Sequence, residues 1–324
     1  MLDIDMIYDY PLYRPPSEAY SLIIQITLGC SHNKCTFCKM YKDKKFTIKP
    51  IEQIKKEIDF FRRRVGYIEK IFLADGDALI IPTPKLLEIL DYINEKFPEN
   101  KRISLYASPK SILLKTPEEL KKIRAKGVKL VYIGMESGDN EVLKDINKGV
   151  TAEEITEASL KAKEAGFQIS VTVIAGICGE KDSTSHALNT AKVINKIIPD
   201  YFSILCLVVH DGTEIDRKIK LGEFREASGE DILKEIRMIV ENINIPKGEK
   251  VIFRSNHASN YLGLKGDFPE DKEKFLSEIN FAIKNDYIRE RNERYLKYQK
   301  NSVLKSEKFN KKILIFIGFY DILN

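Results

Sequence analysis

Three of the five cysteines fall within nine residues, Cys30-Ser-His-Asn-Lys-Cys35-Thr-Phe-Cys38. Thiolates are soft ligands, and three on one short loop can converge on zinc or on a cluster of iron ions. A structural zinc ion takes four ligands, so that reading needs His32 or a distant residue beside Cys30, Cys35 and Cys38. A four-iron cluster held by three cysteines leaves one iron without a protein ligand, and that iron can bind a small molecule. Cys178 (in GICGE) and Cys206 (in SILCLVV) stand alone in apolar surroundings and read as small core residues. The odd count and the absence of a secretory pattern argue against a disulfide framework.

The cysteine loop follows an apolar run, YSLIIQITL (20–28), that reads as a strand. From there to about residue 245 apolar runs alternate with charged segments of helical period. Strands are expected at 20–28, 70–80, 102–109, 130–138, 168–179 and 201–213. Helices are expected at 47–64, 83–97, 116–127, 151–166, 185–197 and 229–243. Thr83 and Thr151 are the expected caps and Gly166 a stop. Near-continuous apolar strands joined through helices predict a parallel sheet with right-handed crossovers. Six units are too few for a closed eight-stranded barrel. The expected fold is therefore α/β, a partial (β/α)6 parallel barrel with a mainly helical C-terminal extension.

Four segments are expected: 1–19 as an N-terminal segment, 20–245 as the barrel, 246–300 as the extension and 301–324 as an apolar tail. The extension holds one strand around VIF and one long helix over 273–299. With 43% hydrophobic and 31% charged residues, the 324-residue chain is globular in composition rather than disordered. No apolar run is long enough to cross a bilayer and the opening residues do not resemble a signal peptide, so a soluble, cytoplasmic protein without membrane partners is expected. The balance of 53 basic to 48 acidic residues is a solvated-surface excess, and it does not favour a nucleic-acid partner.

The loop and the strand ends together resemble the radical S-adenosylmethionine (SAM) superfamily over residues 20 to about 245. The pattern is closest to the oxygen-independent coproporphyrinogen oxidase-like and Elongator-type branch. The usual cysteine motif is CxxxCxxC; this chain has one more residue between Cys30 and Cys35. The resemblance implies a [4Fe–4S] cluster on Cys30, Cys35 and Cys38, with SAM as the second cofactor and Phe37 near its adenine. It places the turn Ala74-Asp75-Gly76-Asp77 at the methionine amino group, with close approach at Gly76 and a carboxylate acceptor in Asp77. Tyr106 and Ser108 end the third strand where relatives carry a polar SAM contact. In Gly134-Met135-Glu136-Ser137-Gly138, Glu136 would hold ribose hydroxyls beside Ser137, and Lys148 would reach the methionine carboxylate. Thr172 and Val208 would add ribose and adenine contacts.

The implied function is reductive cleavage of SAM to a 5′-deoxyadenosyl radical, which abstracts hydrogen from an unidentified substrate. An external electron donor such as ferredoxin or flavodoxin, and an oxygen-poor setting, are implied with it. Substrate-side candidates are His257, Arg254 and His210, the histidines as acids or bases near neutral pH. Arg14 is a further cation for an anionic substrate. The run Arg254–Tyr261 also reads as a plain turn whose Asn and Ser cap the next element. His186 reads as structural and His32 as a solvent-facing loop residue. The alternatives are a zinc-stabilised (β/α) binding protein and a radical SAM enzyme that modifies tRNA. The second would have to act without a further three-cysteine cluster.

Overall fold

The computed structural model describes residues 7–288. The chain runs β1 (Leu22–Gln25), β2 (Thr27–Leu28), β3 (Thr47–Ile48), α1 (Ile51–Arg62), β4 (Lys70–Ala74), α2 (Thr83–Lys96), β5 (Arg102–Tyr106), α3 (Pro109–Leu113) and α4 (Pro117–Ala125). It continues through β6 (Val128–Glu136), α5 (Asn140–Asp145), α6 (Ala152–Glu164), β7 (Gln168–Ala175), α7 (Thr184–Ile197) and β8 (Tyr201–Cys206). The last elements are α8 (Glu214–Lys220), α9 (Gly229–Asn242), β9 (Val251–Ser255), β10 (Leu264–Phe268) and α10 (Lys272–Lys284).

Eight strands form one sheet in the order β1-β4-β5-β6-β7-β8-β9-β10, with β1 and β10 as its edges. Every pairing from β1 to β9 is parallel, and only β10 runs antiparallel to β9. The six expected strand–helix units are present in sequence order. The sheet does not stop where they do. β9 adds a seventh parallel strand, and β10 folds back on it through a hairpin that the sequence pattern does not show. The reason is local: Lys265-Gly266-Asp267 interrupts the apolar alternation that marks a strand.

Strand side chains alternate between two environments. Ile71, Leu73, Ile103, Leu105, Val131, Ile133, Val171, Val173, Phe202 and Ile204 belong to the core shared with the helices. Phe72, Ala74, Leu130 and Tyr132 point the other way, into the barrel, where Leu12, Ile23, Tyr106 and Tyr201 pack on them. The segment before β1 closes this interior from one end. Glu18 is fully buried there, accepts from the Tyr132 hydroxyl at 2.6 Å and pairs with Arg102 at 2.6 Å.

Helix starts follow the cap chemistry. Thr116 and Thr151 each form a reciprocal capping box, with Glu119 and Glu154. Thr83 is not a cap as expected. It occupies the first helical position, and Pro82 stands at the cap with no side-chain bond. The short helices α3, α5 and α8 escape the periodicity because five to seven residues make too few turns to show it. The expected long C-terminal helix is shorter where described: it ends at Lys284, and Asp286 takes a left-handed conformation (φ 51°). The remainder of that helix and the apolar tail lie outside the described residues.

Phe253 ties the hairpin to the barrel. Its ring lies 5.5 Å from Phe202 of β8, 5.2 Å from Phe268 of β10 and 5.1 Å from Phe275 of α10, all wholly buried. Phe253→Ala is expected to cost about 3–5 kcal/mol, the loss for a large core aromatic. Thr151→Ala is expected to cost about 1 kcal/mol. Urea unfolding midpoints check both.

Candidate active site

The cysteine loop is built as a closed compartment on the end of β1. Its two ends are clipped by the antiparallel pair β2–β3, Thr27 opposite Ile48 and Leu28 opposite Thr47. Inside it, the Asn33 side-chain amide donates to the Tyr41 carbonyl at 2.7 Å, and the Lys42 ammonium donates to the Asn33 carbonyl at 2.9 Å. The loop also docks sideways onto the turn after α5. Thr36 N donates to the Ile146 carbonyl at 2.9 Å, and His32 Nε2 lies 2.6 Å from the Asn147 carbonyl. A Cβ at Gly149 would sit 2.6 Å from the His32 ring, so glycine admits the histidine there. His32 is thus a docking residue rather than a solvent-facing one.

Asp75 fastens the end of β4 to the base of this loop. Its Oδ2 accepts from Gly29 N and Gln25 Nε2 at 3.0 Å each and from Lys44 Nζ at 3.2 Å. Gly76 N in turn donates to the Gly29 carbonyl at 3.0 Å. A Cβ on Gly76 would meet the Tyr41 ring at 2.8 Å and Cys30 Cβ at 3.0 Å, so glycine is what lets this turn pack against the cysteine loop. Asp77 is wholly buried. It accepts from Ser108 N (3.0 Å), Ser108 Oγ (2.7 Å) and Ser31 Oγ (2.5 Å). Two expected cofactor contacts, Asp77 and Ser108, therefore bond to each other. Ser108 also caps α3, accepting from Ser111 N at 3.0 Å.

At the end of β6, Glu136 has φ 65° and pairs with Lys148 at 2.8 Å, both side chains largely shielded from solvent. The glycine between this pair and the sheet leaves room for it. A Cβ on Gly134 would lie 2.3 Å from Glu136 Oε1 and 3.1 Å from Lys148 Nζ. The cysteines share this neighbourhood. Burial pushes the Cys35 thiol up to about 11; Lys148 opposes that, while Glu136, Cys38 and Cys30 add to it. Burial also pushes Cys38 up, with Cys30 and Glu136 contributing. Lys148 stays above its ordinary value: burial works against its charge, and Glu136 and the cysteines outweigh that.

The thiols feel one another, yet among the described residues no three His, Cys, Asp or Glu side chains converge on a single metal-ion position. His32 is also committed to Asn147 rather than turned toward the thiols. Three thiols, a neighbouring cation and two glycines without Cβ clash make a donor set and a space that fit a cluster with a ligand beside it.

The remaining expected residues are scattered around this centre. Tyr106 packs edge-on to Phe72 at 5.1 Å and Tyr132 at 6.0 Å inside the barrel. Thr172 stands beside Gly134 in sheet register and is half-buried. Phe37 packs against the helix-side core, and Val208 lies half-buried past the end of β8. Ser137 departs from expectation: it is wholly buried with its hydroxyl 2.7 Å from His186 Nδ1, so it meets α7 rather than the barrel space. Burial lowers the pKa of both His210 and His257. His257 Nδ1 lies 2.8 Å from Ser259 Oγ, and Arg254 is exposed and donates to the Phe253 and Gly266 carbonyls. Asn260 takes the plain capping role, accepting from Cys206 N at 3.2 Å and donating to the Ile204 carbonyl at 2.8 Å. Arg14 is half-buried, which lowers its pKa, with Glu18 and Tyr8 opposing.

The family model for the radical SAM superfamily matches residues 24–191, from β1 into α7. The chain belongs to the radical SAM superfamily. This radical SAM chain is 26% identical over 220 residues to uncharacterized protein MJ0486 of Methanocaldococcus jannaschii, covering 64% of this chain and 67% of that one. It is 33% identical over 177 residues to the ribosomal protein uS12 methylthiotransferase RimO of Caldanaerobacter subterraneus subsp. tengcongensis, covering 53% and 39%. It therefore spans about two thirds of the first relative and under half of the second. The fold is similar to that of coproporphyrinogen III oxidase (HemN) from Escherichia coli, with TM-score 0.54 and 20% identity over 68% of this chain and 52% of that one. The superfamily works with a [4Fe–4S] cluster and SAM.

The fit at Gly134 generates a direct test. Gly134→Ala drives a methyl group into the Glu136 carboxylate, and SAM affinity is expected to fall at least about tenfold, some 1.4 kcal/mol. Gly66→Ala, where a Cβ meets nothing within 4 Å, should leave it unchanged. Equilibrium dialysis with the cluster-loaded protein reads both.

Proposed function

We propose that the chain is a radical SAM enzyme that cleaves SAM reductively and passes the resulting radical to a substrate held at the barrel mouth. The observation that carries this is a cysteine loop whose thiols lie within electrostatic reach of the Glu136–Lys148 pair, at a strand end kept clear by Gly134. A cluster held by Cys30, Cys35 and Cys38, with SAM beside it and one electron from an external donor such as ferredoxin or flavodoxin, would supply reductive cleavage of SAM and, through it, hydrogen abstraction from the substrate.

The protein's own part is binding, orientation and exclusion of water. Lys148 offers an ammonium to the methionine carboxylate, and Glu136 offers acceptors to ribose hydroxyls. Each satisfies the other at 2.8 Å until ligand groups replace them. Thr172 and Val208 extend the nucleoside contacts. On the substrate side are His210, Arg254 and His257, with His210 near enough to feel Lys39 of the cysteine loop. The setting is cytoplasmic and poor in oxygen.

Anaerobic loading with iron and sulfide, then dithionite and SAM, is expected to yield 5′-deoxyadenosine, and Cys35→Ala should reduce it to background. Stoichiometric zinc, no iron uptake and no nucleoside would sink the proposal.

A further inference from the structure

The turn that carries Glu136 is gripped from behind by buried polar groups that the cofactor reading does not use. Ser137 Oγ accepts from Asp139 N at 2.9 Å and lies 2.7 Å from His186 Nδ1 in α7. His186 Nε2 is 3.3 Å from Glu235 Oε1 in α9, without the geometry of a formed hydrogen bond, and it has no other partner. The same Glu235 oxygen accepts from Gly176 N at 3.0 Å, at the end of β7. Ser137, His186 and Glu235 are all at most 2% exposed. Hydroxyl, imidazole and carboxylate in this order resemble a hydrolytic triad. Two facts argue against that here: Ser137 is wholly buried, and its oxygen already accepts a backbone N–H.

The rest of the turn is held to the same helix. Gly138 N donates to Thr190 Oγ1 at 3.0 Å, and a Cβ on Gly138 would lie 2.4 Å from the Asn189 carbonyl oxygen. Asp139 accepts from Ser185 Oγ and, at 2.8 Å, from Asn189 Nδ2. Thus α7 fixes the backbone immediately after Glu136, and α9 fixes Gly176 at the end of the neighbouring strand through one shared carboxylate. A hydroxyl donating to Nδ1 leaves the imidazole hydrogen on Nε2, facing Glu235, so the polar chain runs in one direction.

We infer that Ser137, His186 and Glu235 form a buried brace that positions the cofactor-facing ends of β6 and β7, with His186 as its central positioning residue. The inference rests on the reading of Glu136 as a SAM contact. The left-handed backbone of Glu136 is unfavourable for a residue with a side chain and persists only where its surroundings hold it. The brace is what holds it: without the Ser137–His186 bond, the turn can relax and carry Glu136 away from Lys148. The expected consequence is loss of SAM affinity out of proportion to loss of fold.

The test uses the full chain. His186→Phe keeps the ring and removes both polar contacts. Ser137→Ala removes one hydroxyl and decides the matter if the first variant does not fold. Leu188→Ala, on the more exposed side of α7, is the surface control, and Glu136→Gln tests the underlying reading. Each is measured for SAM affinity with the cluster loaded, for hydrogen exchange at residues 134–139 without it, and for urea midpoint. Expected are a roughly tenfold weaker SAM affinity and faster exchange in both brace variants, with their double variant no worse than the worse single one because they break one unit. If Glu136→Gln weakens SAM while the brace variants lower only the midpoint, the inference is overturned and the site reading stands. If Glu136→Gln leaves SAM affinity intact, the site reading itself fails.

Discussion

The whole site hangs on a buried carboxylate. Asp75, with no solvent exposure, joins four pieces of chain that are distant in sequence: β1 through Gln25, the base of the cysteine loop through Gly29, the far side of that loop through Lys44, and β4 itself. Burial raises its pKa, and Lys44 and the donors from Gly29 and Gln25 pull it back. Lys44 is shared with Asp9 at 3.1 Å, so the segment before β1 is drawn into the same knot. Such a network adds little net stability compared with an apolar core, yet removing one partner costs about 3–5 kcal/mol because the other charge is stranded. Its value is positional. A loop of eighteen residues between β2 and β3 has little backbone pairing of its own, and three thiols can serve one cluster only if that loop has one shape.

From this knot the sheet distributes the remaining parts. Strand ends are separated by about 4.8 Å per neighbour, so groups on β4, β5 and β6 come together only because those strands are adjacent and parallel. Asp77 after β4 reaches Ser108 after β5, and Ser31 of the loop reaches the same carboxylate. The polar ends are thus cross-linked to one another before any ligand arrives, which lowers the ordering cost of binding. The opposite end of the barrel is stopped by Glu18, Arg102 and Tyr132, so the interior opens toward the cysteine loop.

Much of this was legible in the chain because burial on both faces leaves apolar runs, and six such runs with helices between them permit few arrangements. The cysteine spacing and the separate candidacies of Gly76, Glu136 and Lys148 could be read from residue type and position, but not that Glu136 and Lys148 pair with each other. What could not be read is which way a polar side chain faces. Ser137 and Asp77 sit at strand ends where a cofactor contact was expected, but alternation turns Ser137 toward α7, and Ser108 is near enough to take Asp77. His32 looked idle because its partner, the Asn147 carbonyl, is 115 residues away. β10 was hidden by its Lys-Gly-Asp centre, and Thr83 was displaced from the cap by the proline before it.

The electrostatics of the pocket explain why these positions matter. Burial disfavours the thiolates of Cys35 and Cys38 and works against the charge on Lys148. Cation and thiols relieve one another: each thiolate formed favours the ammonium, and the ammonium favours each thiolate. Glu136 stabilises Lys148 but opposes the thiolates, so its carboxylate is best turned toward a ligand that donates hydrogen bonds to it. A zwitterionic nucleoside with hydroxyl donors and a carboxylate satisfies both members of the pair at once. Metal coordination removes the protons that burial retains on sulfur. The charges at this strand end are therefore set by one another, and any group that binds there shifts all of them together.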